Sequence, residues 1–303
     1  MNIDDIHRVL IVGAGTMGQK IALQCAVHGY ETTVYDVSAA TLESAAAKIR
    51  VYAAELVSRK RLSAEESTAS LARLSFTTSA EDAARADLLN ESVPEDPDLK
   101  AKVFARFNAL CPPHTIFTTN TSTLRPSVFA AATGRPAQFA ALHFYGVWDQ
   151  NLADVMPHSG TSAETLRLVE AFARRIGQIP LVFRKETPEY IGNAILGAIF
   201  TTALNLVFRD DVASIEDVDR SVMLVLGMPV GPFGWLDNVG LDTVWHIAEN
   251  KARSTGDPQA RAAADRLKRE YVEKGWLGVK SGKGFYTYPD PAYARSGFLT
   301  GEQ

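Results

Sequence analysis

Short apolar runs flank one longer helical pattern over the first 36 residues of the chain. Arg8–Val12 is almost entirely apolar and ends at Gly13, as a strand buried on both faces does. Residues 15–29 carry apolar side chains at helical spacing, and Gly29 is placed to end that helix. Because Thr32–Tyr35 is rich in β-forming residues, this stretch predicts a strand–helix–strand unit with parallel strands.

Strand and helix patterns keep alternating up to about residue 185. Residues 39–58 and 62–74 predict a helical hairpin inserted at about 38–73, with Ser63 and Glu66 forming a capping box. Further strands are predicted at 76–78, 87–89, 115–119, 139–144, 152–156 and 179–183, and further helices at 97–110 and 162–176. This alternation predicts an α/β fold, a doubly wound and mostly parallel sheet of the Rossmann type.

The pattern changes to helices alone after about residue 185, near Pro188. Helices are predicted at 189–207, 215–226, 242–252 and 258–274. The segment 229–233 is expected to be a turn between helices, and the tail 289–303 to be loosely ordered. We therefore predict a sheet domain over 1–186 and a smaller all-helical C-terminal domain over 187–303.

Composition narrows the class of protein without naming a function. The 303 residues are 46% hydrophobic and 22% charged with a net charge of −4, so a globular protein without nucleic-acid binding is expected. Two cysteines, Cys25 and Cys111, are too few for a disulfide framework and fit a reducing compartment. Neither a strictly apolar run of about 18 residues nor a signal-peptide core at the N-terminus is evident. We expect a cytoplasmic protein that binds neither a membrane nor a metal.

A glycine-rich turn joins the first predicted strand to the first helix. Gly13, Gly15 and Gly18 form a G-x-G-x-x-G motif around Thr16 and Met17, and Asp36 follows the second strand. The glycines permit a tight turn, close approach of a pyrophosphate and close helix–strand packing. Asp36 would bind ribose hydroxyls and repel a 2′-phosphate, so NAD is predicted over NADP. The alternative is a structural glycine turn.

Polar side chains follow several predicted strands that end at one edge of the sheet. Ser122, His143 and Asp154 could converge there, since ligands of doubly wound folds lie beyond the carboxyl ends of strands. Glu91 and Glu95 follow another strand. Each also has a structural alternative: a histidine satisfied in the core, a polar turn or a solvated carboxylate.

Several motifs in order identify a resemblance along nearly the whole chain. They are Val9–Gly18 with Asp36, Glu91–Glu95 with Lys100, Asn120–Ser122, His143-Phe144, Pro188–Asn193, Gly227–Phe233 and Leu277–Tyr286. In these stretches the chain resembles the L-3-hydroxyacyl-CoA dehydrogenase family. Lambda-crystallin and gulonate dehydrogenase belong to the same broad superfamily and are more distant possibilities.

The resemblance implies roles for matching residues. His143 corresponds to the family's catalytic base, and Ser122 and Asn193 match residues that hydrogen-bond the substrate or cofactor nearby. Glu95 and Lys100 match positions near the nicotinamide half of NAD. Asn120 precedes Ser122 in its motif and is assigned to the cofactor as well. A homodimer is also implied, with the helical domain serving dimerisation.

A basic cluster occupies the tip of the predicted helical hairpin. Arg59, Lys60 and Arg61 fall where the family receives the phosphates of CoA. The alternative is a solvated hairpin tip, because three exposed cations in a row are common on protein surfaces.

Two departures from the family pattern affect the region around His143. The family reads H-F-F-N-P after its histidine, whereas this chain has Tyr145 and then Trp148 in a changed loop, which is expected to alter the acyl pocket. The family's glutamate in the next strand is replaced by Asp154. Aspartate is shorter by about 1.5 Å, so contact with His143 would need a backbone shift or a water.

The leading functional prediction is NAD-dependent oxidation of L-3-hydroxyacyl-CoA to 3-oxoacyl-CoA, and the reverse, with a dyad of His143 and Asp154. One alternative is a dehydrogenase of a free 3-hydroxy acid or of a carrier-bound acyl group. A second alternative is a non-catalytic NAD-binding relative, which the shorter carboxylate would suit.

Overall fold

The computed structural model describes residues 1–301 and divides the chain into two compact units, Met1–Ile191 and Gly192–Gln303. We call them unit 1 and unit 2. Our sequence boundary lay between residues 186 and 187.

Unit 1 is built on one eight-stranded sheet in its described part, in the order β3-β2-β1-β4-β5-β6-β7-β8. The strands are β1 Arg8–Val12, β2 Glu31–Tyr35, β3 Leu74–Thr77, β4 Leu88–Glu91, β5 Ile116–Thr119, β6 Phe139–Phe144, β7 Leu152–Met156 and β8 Ile179–Val182. Neighbouring strands are parallel except β6 and β7, which are antiparallel. The predicted doubly wound, mostly parallel sheet is therefore confirmed.

Helices cover both faces of this sheet. They are α1 Thr16–Val27, α2 Ala39–Ser58, α3 Ala64–Ala72, α4 Pro97–Leu110, α5 Ser127–Ala130 and α6 Ala163–Arg175. Alternate residues of β1 enter two separate cores: Val9 and Ile11 pack in one, Leu10 and Val12 in the other. Two-sided burial explains why β1 has a continuous apolar sequence instead of an alternating one.

The sheet topology brings the candidate site residues to one edge. The crossover direction changes between β1 and β4, which is where ligands bind in open α/β sheets. The carboxyl ends of β1, β2, β4, β5 and β6 lie at this edge, and antiparallel β7 begins there.

The helical hairpin of α2 and α3 forms as its capping signals predict. The Ser63 hydroxyl accepts a hydrogen bond from the Glu66 amide at 3.1 Å, and the Glu66 carboxylate accepts one from the Ser63 amide at 2.8 Å. This reciprocal pair satisfies amide groups that would otherwise lack partners at the start of α3.

Unit 2 is helical where described. Its helices are α7 Ile191–Leu204, α8 Ile215–Leu226, α9 Pro232–Val239, α10 Leu241–Thr255 and α11 Pro258–Glu270. Helix α7 begins at the last residue of unit 1 and continues as a π-helical turn through Arg209. Helix α9 was missed, because we interpreted 229–233 as a turn. Pro232 instead occupies the first turn of a helix, where its missing amide hydrogen costs nothing.

The chain after residue 289 is better ordered than we predicted. Phe298 is buried, and its carbonyl accepts a hydrogen bond of 2.6 Å from the Arg220 guanidinium. That guanidinium also lies over the Phe298 ring. One aromatic anchor thus holds the tail to α8, which composition could not reveal. Residues 302 and 303 lie outside the described part.

One helix in unit 2 is more apolar than our scan for apolar runs suggested. Ile191–Arg209 spans 19 residues with a mean hydropathy of 1.7, long and apolar enough to cross a membrane by length and composition. Gly, Thr and Asn interrupt this stretch, so it contains no strictly apolar run of about 18 residues. Only 17% of its apolar window is buried.

Candidate active site

The glycine turn after β1 has a backbone that only glycine adopts without strain. Gly13 has φ +106°, and its amide donates to the Tyr35 carbonyl of β2 at 2.8 Å. A Cβ there would lie 2.6 Å from the Ser92 carbonyl oxygen. The turn is therefore fixed by positive φ and by close packing against the segment after β4.

The two later glycines of the motif have different surroundings. A Cβ on Gly18 would lie 2.0 Å from the Gly13 carbonyl oxygen, whereas a Cβ on Gly15 would meet no atom within 4 Å. Gly15 caps α1 without a side-chain hydrogen bond, and Thr16 behind it is exposed while Met17 is half-buried. The start of α1 is thus an open cradle of backbone amides, which fits the pyrophosphate of a dinucleotide.

Asp36 is held rigidly at the end of β2. One carboxylate oxygen accepts the Ala14 amide and the other accepts the Ser38 amide, each at 3.0 Å. An ionised carboxylate has about four acceptor positions, so two amides leave capacity for ribose hydroxyls. The geometry suits the predicted cofactor, and NAD is the group that these residues would hold.

Lys100 lies inside the protein and binds two carboxylates. Its side chain is 1% exposed, and its ammonium lies 2.8 and 3.0 Å from the Glu91 oxygens and 3.2 Å from Glu95. It also donates to the Val93 carbonyl at 3.1 Å. We predicted that Lys100 contacts the cofactor. The structure places it beneath Glu95, where it holds that carboxylate.

Glu95 in turn holds the polar segment after β5. Its carboxylate accepts hydrogen bonds from the Thr121 hydroxyl, from the Thr123 hydroxyl at 2.8 Å and from the Ser122 amide at 3.3 Å. Burial raises the pKa of Glu95, but the Thr121 bond and the charge of Lys100 outweigh it, so this pKa lies below its usual value. Glu95 is therefore an anionic anchor for Ser122.

Asn120 links the ends of two neighbouring strands. Its side-chain oxygen accepts a hydrogen bond of 2.9 Å from the amide of Phe144, the residue that follows His143 in β6. Ser122 and His143 therefore belong to segments that are tied together directly at the sheet edge.

His143 and Asp154 face each other across the antiparallel pair of β6 and β7. The His143 Nδ1 atom lies 3.2 Å from the Asp154 Oδ2 atom, and Asp154 is fully buried. Directly opposed residues in such a ladder have Cβ atoms ~5 Å apart, so even an aspartate can reach its partner. The sequence left open whether Asp154 can reach His143. The strand register places the two residues opposite each other, and their side chains are in direct contact.

Two tyrosines surround this pair. The Tyr145 hydroxyl donates to Asp154 Oδ2 at 2.8 Å, although we predicted that Tyr145 lines the substrate pocket. The Tyr190 ring is fully buried with its centroid 5.0 Å from that of His143. Sequence reasoning missed Tyr190. Its only signal was its place in the stretch Pro188–Asn193.

The basic tip of the hairpin binds the loop that follows His143. Arg59 and Arg61 lie 3.0 and 3.5 Å from the Asp149 carboxylate, and Arg61 also donates to the Trp148 carbonyl at 2.5 Å. Lys60 is exposed, with φ +57° in the tight turn. No local sequence pattern points to Asp149. We call residues 145–151 the docked loop.

The docked loop is fixed from inside as well. Val147 is buried with φ +62°, a strained conformation for a β-branched residue. Its carbonyl accepts a hydrogen bond of 3.0 Å from Gln178, and the Trp148 indole donates to Gln24 at 2.8 Å. Trp148 therefore packs against the helices, on the Gln24 side of the loop. We had expected its side chain to alter the acyl pocket instead.

Asn193 belongs to unit 2, in the first turn of α7. Within residues 1–301, no cluster of three or more His, Cys, Asp or Glu could hold a metal ion.

The glycine cradle, Asp36 at the end of β2 and the His–Asp pair define a nicotinamide-dinucleotide oxidoreductase on an α/β sheet. The model of the 3-hydroxyacyl-CoA dehydrogenase NAD binding domain matches residues 8–187, and that of the C-terminal domain matches 190–288. The chain belongs to the 3-hydroxyacyl-CoA dehydrogenase family, and NAD is its cofactor.

Individual relatives are similar over nearly their whole length. A probable 3-hydroxybutyryl-CoA dehydrogenase of Bacillus subtilis is 32% identical, covering 94% of this chain and 99% of that protein. A solved (S)-3-hydroxybutyryl-CoA dehydrogenase of Ralstonia eutropha is 32% identical with a TM-score of 0.83, covering 94% and 100%. A solved diketoreductase that acts on dicarbonyl compounds is 35% identical with a TM-score of 0.86, covering 93% and 99%.

The different surroundings of Gly15 and Gly18 predict different effects of adding a methyl group. Gly15→Ala should weaken NAD binding by about 10- to 100-fold, because hydrogen bonds to charged groups contribute ~1.5–3 kcal/mol, and should leave the thermal midpoint nearly unchanged. Gly18→Ala should instead lower the free energy of unfolding by at least ~1–3 kcal/mol through overpacking. Calorimetric NAD titration and denaturant unfolding measure the two effects. If Gly15→Ala bound NAD as tightly as wild type, the start of α1 would not be the pyrophosphate-binding site.

Proposed function

We propose that this protein oxidises L-3-hydroxyacyl-CoA to 3-oxoacyl-CoA with NAD, and catalyses the reverse reduction. The observation that carries the proposal is the His143–Asp154 pair, which lies at the same sheet edge as the NAD-binding turn. The 3-hydroxybutyryl-CoA dehydrogenases among its relatives support a short acyl-CoA as substrate.

His143 is the proton acceptor in this proposal. Nδ1 is directed to Asp154, so Nε2 is the atom that takes the proton of the 3-hydroxyl group. As that proton leaves, the carbonyl double bond forms at C3, and the hydrogen on C3 departs as hydride with the electrons of the C3–H bond. When bound, NAD supplies the hydride acceptor for that step. In the reverse direction, protonated His143 returns the proton to the carbonyl oxygen.

The remaining site residues orient the reacting groups. Asp154 keeps the Nδ1 proton in place and stabilises the imidazolium that forms. Ser122, anchored by Glu95, hydrogen-bonds the substrate oxygen at C3. Asn193 is assigned the same task on the family resemblance.

Removing either member of the pair should remove most of the turnover. With acetoacetyl-CoA and NADH, we expect His143→Gln to lower kcat by about 10²- to 10⁴-fold and Asp154→Asn by ~10²-fold. His114→Gln is the matched control, because His114 is exposed and its ring nitrogen lies 3.3 Å from Asp87. Near-wild-type kcat in Asp154→Asn would exclude the orienting role of Asp154.

A second candidate function is the reduction of a dicarbonyl compound or free 3-oxo acid that carries no CoA. Two observations favour it. Asp149 already occupies Arg59 and Arg61, the cations that would receive CoA phosphates. One similar solved structure is a diketoreductase.

Neutralising Asp149 should distinguish a substrate that carries CoA from one that does not. If the basic tip binds CoA phosphates, Asp149→Asn should raise kcat/KM for acetoacetyl-CoA by about two- to fivefold, since exposed ion pairs are worth ~0.2–1 kcal/mol. The gain should vanish in high salt and be absent for the pantetheine thioester, which lacks the nucleotide phosphates. Glu43→Gln, on exposed α2 surface, controls for net charge. Unchanged kinetics with acetoacetyl-CoA, together with faster reduction of a free dicarbonyl compound, would favour the second candidate.

We also propose that the protein is a homodimer whose partner covers the apolar surface of α7. Ile195 on this helix is 59% exposed, and the helix carries no charge before Arg209. Contact with a second protein chain would bury this exposed apolar surface, so a membrane is not needed to explain it.

A charge on α7 should therefore separate the subunits. Light scattering should give wild type a mass close to twice the 32.9 kDa chain, and Ile195→Glu a mass close to one chain at micromolar concentration. Val51→Glu, at a residue of α2 that is 51% exposed, should remain dimeric. A monomeric wild type would contradict the proposal.

A further inference from the structure

Asp154 receives two hydrogen bonds on a single oxygen atom. Its Oδ2 atom lies 3.2 Å from His143 Nδ1 and accepts the Tyr145 hydroxyl at 2.8 Å. Its other oxygen, Oδ1, is buried without a hydrogen-bond partner among residues 1–301. The orientation of the carboxylate therefore rests on one oxygen shared by an imidazole and a phenol.

Neither donor to Asp154 carries a permanent charge. Within residues 1–301, His143 is the one group in ion-pair distance of Asp154, and it is cationic only when protonated. A fully buried carboxylate without a permanent counter-ion depends on hydrogen bonds to stay ionised. Tyr145 supplies one of the two hydrogen bonds that reach Asp154 Oδ2.

We propose that Tyr145 is a positioning residue that sets both the orientation and the basicity of His143 through Asp154. This proposal rests on the proposed function, in which His143 transfers the proton. The tyrosine hydroxyl fixes which carboxylate oxygen faces the imidazole. It also draws electron density from that oxygen, which weakens the attraction of Asp154 for the Nδ1 proton and keeps the imidazolium acidic enough to return its proton.

The sign of the effect follows from this hydrogen bond. Without the hydroxyl, Asp154 Oδ2 is a stronger acceptor and stabilises the imidazolium more, so the pKa of His143 should rise. Oxidation requires neutral His143, so the acidic limb of the kcat/KM profile for oxidation should move to higher pH. Reduction requires the imidazolium, and its basic limb should move upward too.

The other titratable groups near His143 do not reverse this expectation. Tyr190 packs on His143, and burial, followed by the negative charges of Glu95 and Asp154, raises its pKa, so it stays neutral. Glu95 is paired with Lys100, whose charge opposes its own. These groups remain in place when the Tyr145 hydroxyl is removed.

The kinetic test compares Tyr145→Phe with wild type using NADH and acetoacetyl-CoA across pH. We expect kcat to fall about three- to tenfold with KM within about twofold, and the basic limb of the kcat/KM profile for reduction to move upward by about 0.5–1 pH unit. Tyr30→Phe is the matched control. It also removes a hydroxyl from a buried tyrosine, but Tyr30 packs on Phe172 in the core of unit 1, and the variant should leave the limb in place. A raised KM with an unmoved limb would make Tyr145 a substrate contact and overturn the proposal.

A direct titration keeps the proposal independent of turnover. The imidazole ¹⁵N shifts of His143, assigned with His143→Gln, report its pKa without substrate. Tyr145→Phe should raise this pKa by the same ~0.5–1 unit, and an unchanged titration would overturn the role of Tyr145. Tyr145→Leu serves the same test if the phenylalanine variant does not fold. If wild type reduced no acyl-CoA, the proposed function would fail while this titration still decided the role of Tyr145.

Discussion

The antiparallel pairing of β6 with β7 is the constraint on which the site depends. In a wholly parallel sheet, the strand after His143 would need a long crossover and would begin at the opposite edge. Reversal lets a short loop return the chain, so that Asp154 lies directly opposite His143. The same reversal leaves the loop between the two strands at the ligand edge, where it reaches the helical hairpin. One change of strand direction thus creates both the His143–Asp154 contact and the docked loop.

The site holds its carboxylates in two different ways, and the difference has chemical consequences. Glu91 and Glu95 share the buried ammonium of Lys100, a permanent cation. Among the described residues, Asp154 has the His143 imidazole and the Tyr145 hydroxyl as its hydrogen-bond partners. A permanent cation beside Asp154 would cancel its field and oppose protonation of His143. Neutral donors leave that field available for the moment when the imidazolium forms, so Asp154 suits proton transfer and Glu95 suits anchoring.

Local patterns predicted the elements well because burial and capping act over a few residues. The strand limits of β1, β6 and β7 and the capping box at Ser63 follow from such patterns. Contacts between distant segments were not predictable in this way. The inward direction of Lys100 and the pairing of Asp149 with Arg59 depend on how loops meet after folding. For Asp154, the sequence identified the residue, but only the strand register could decide whether its shorter side chain reached His143.

The two departures from the family pattern meet in space, and that meeting constrains how either could change. Tyr145 and Asp154 touch each other, and Tyr145 begins the loop whose Asp149 holds the basic tip. Because Val147 keeps a strained backbone between them, the loop must be fixed at both ends to persist. The docked loop therefore joins the basic tip of the hairpin at one end to the His143–Asp154 pair at the other.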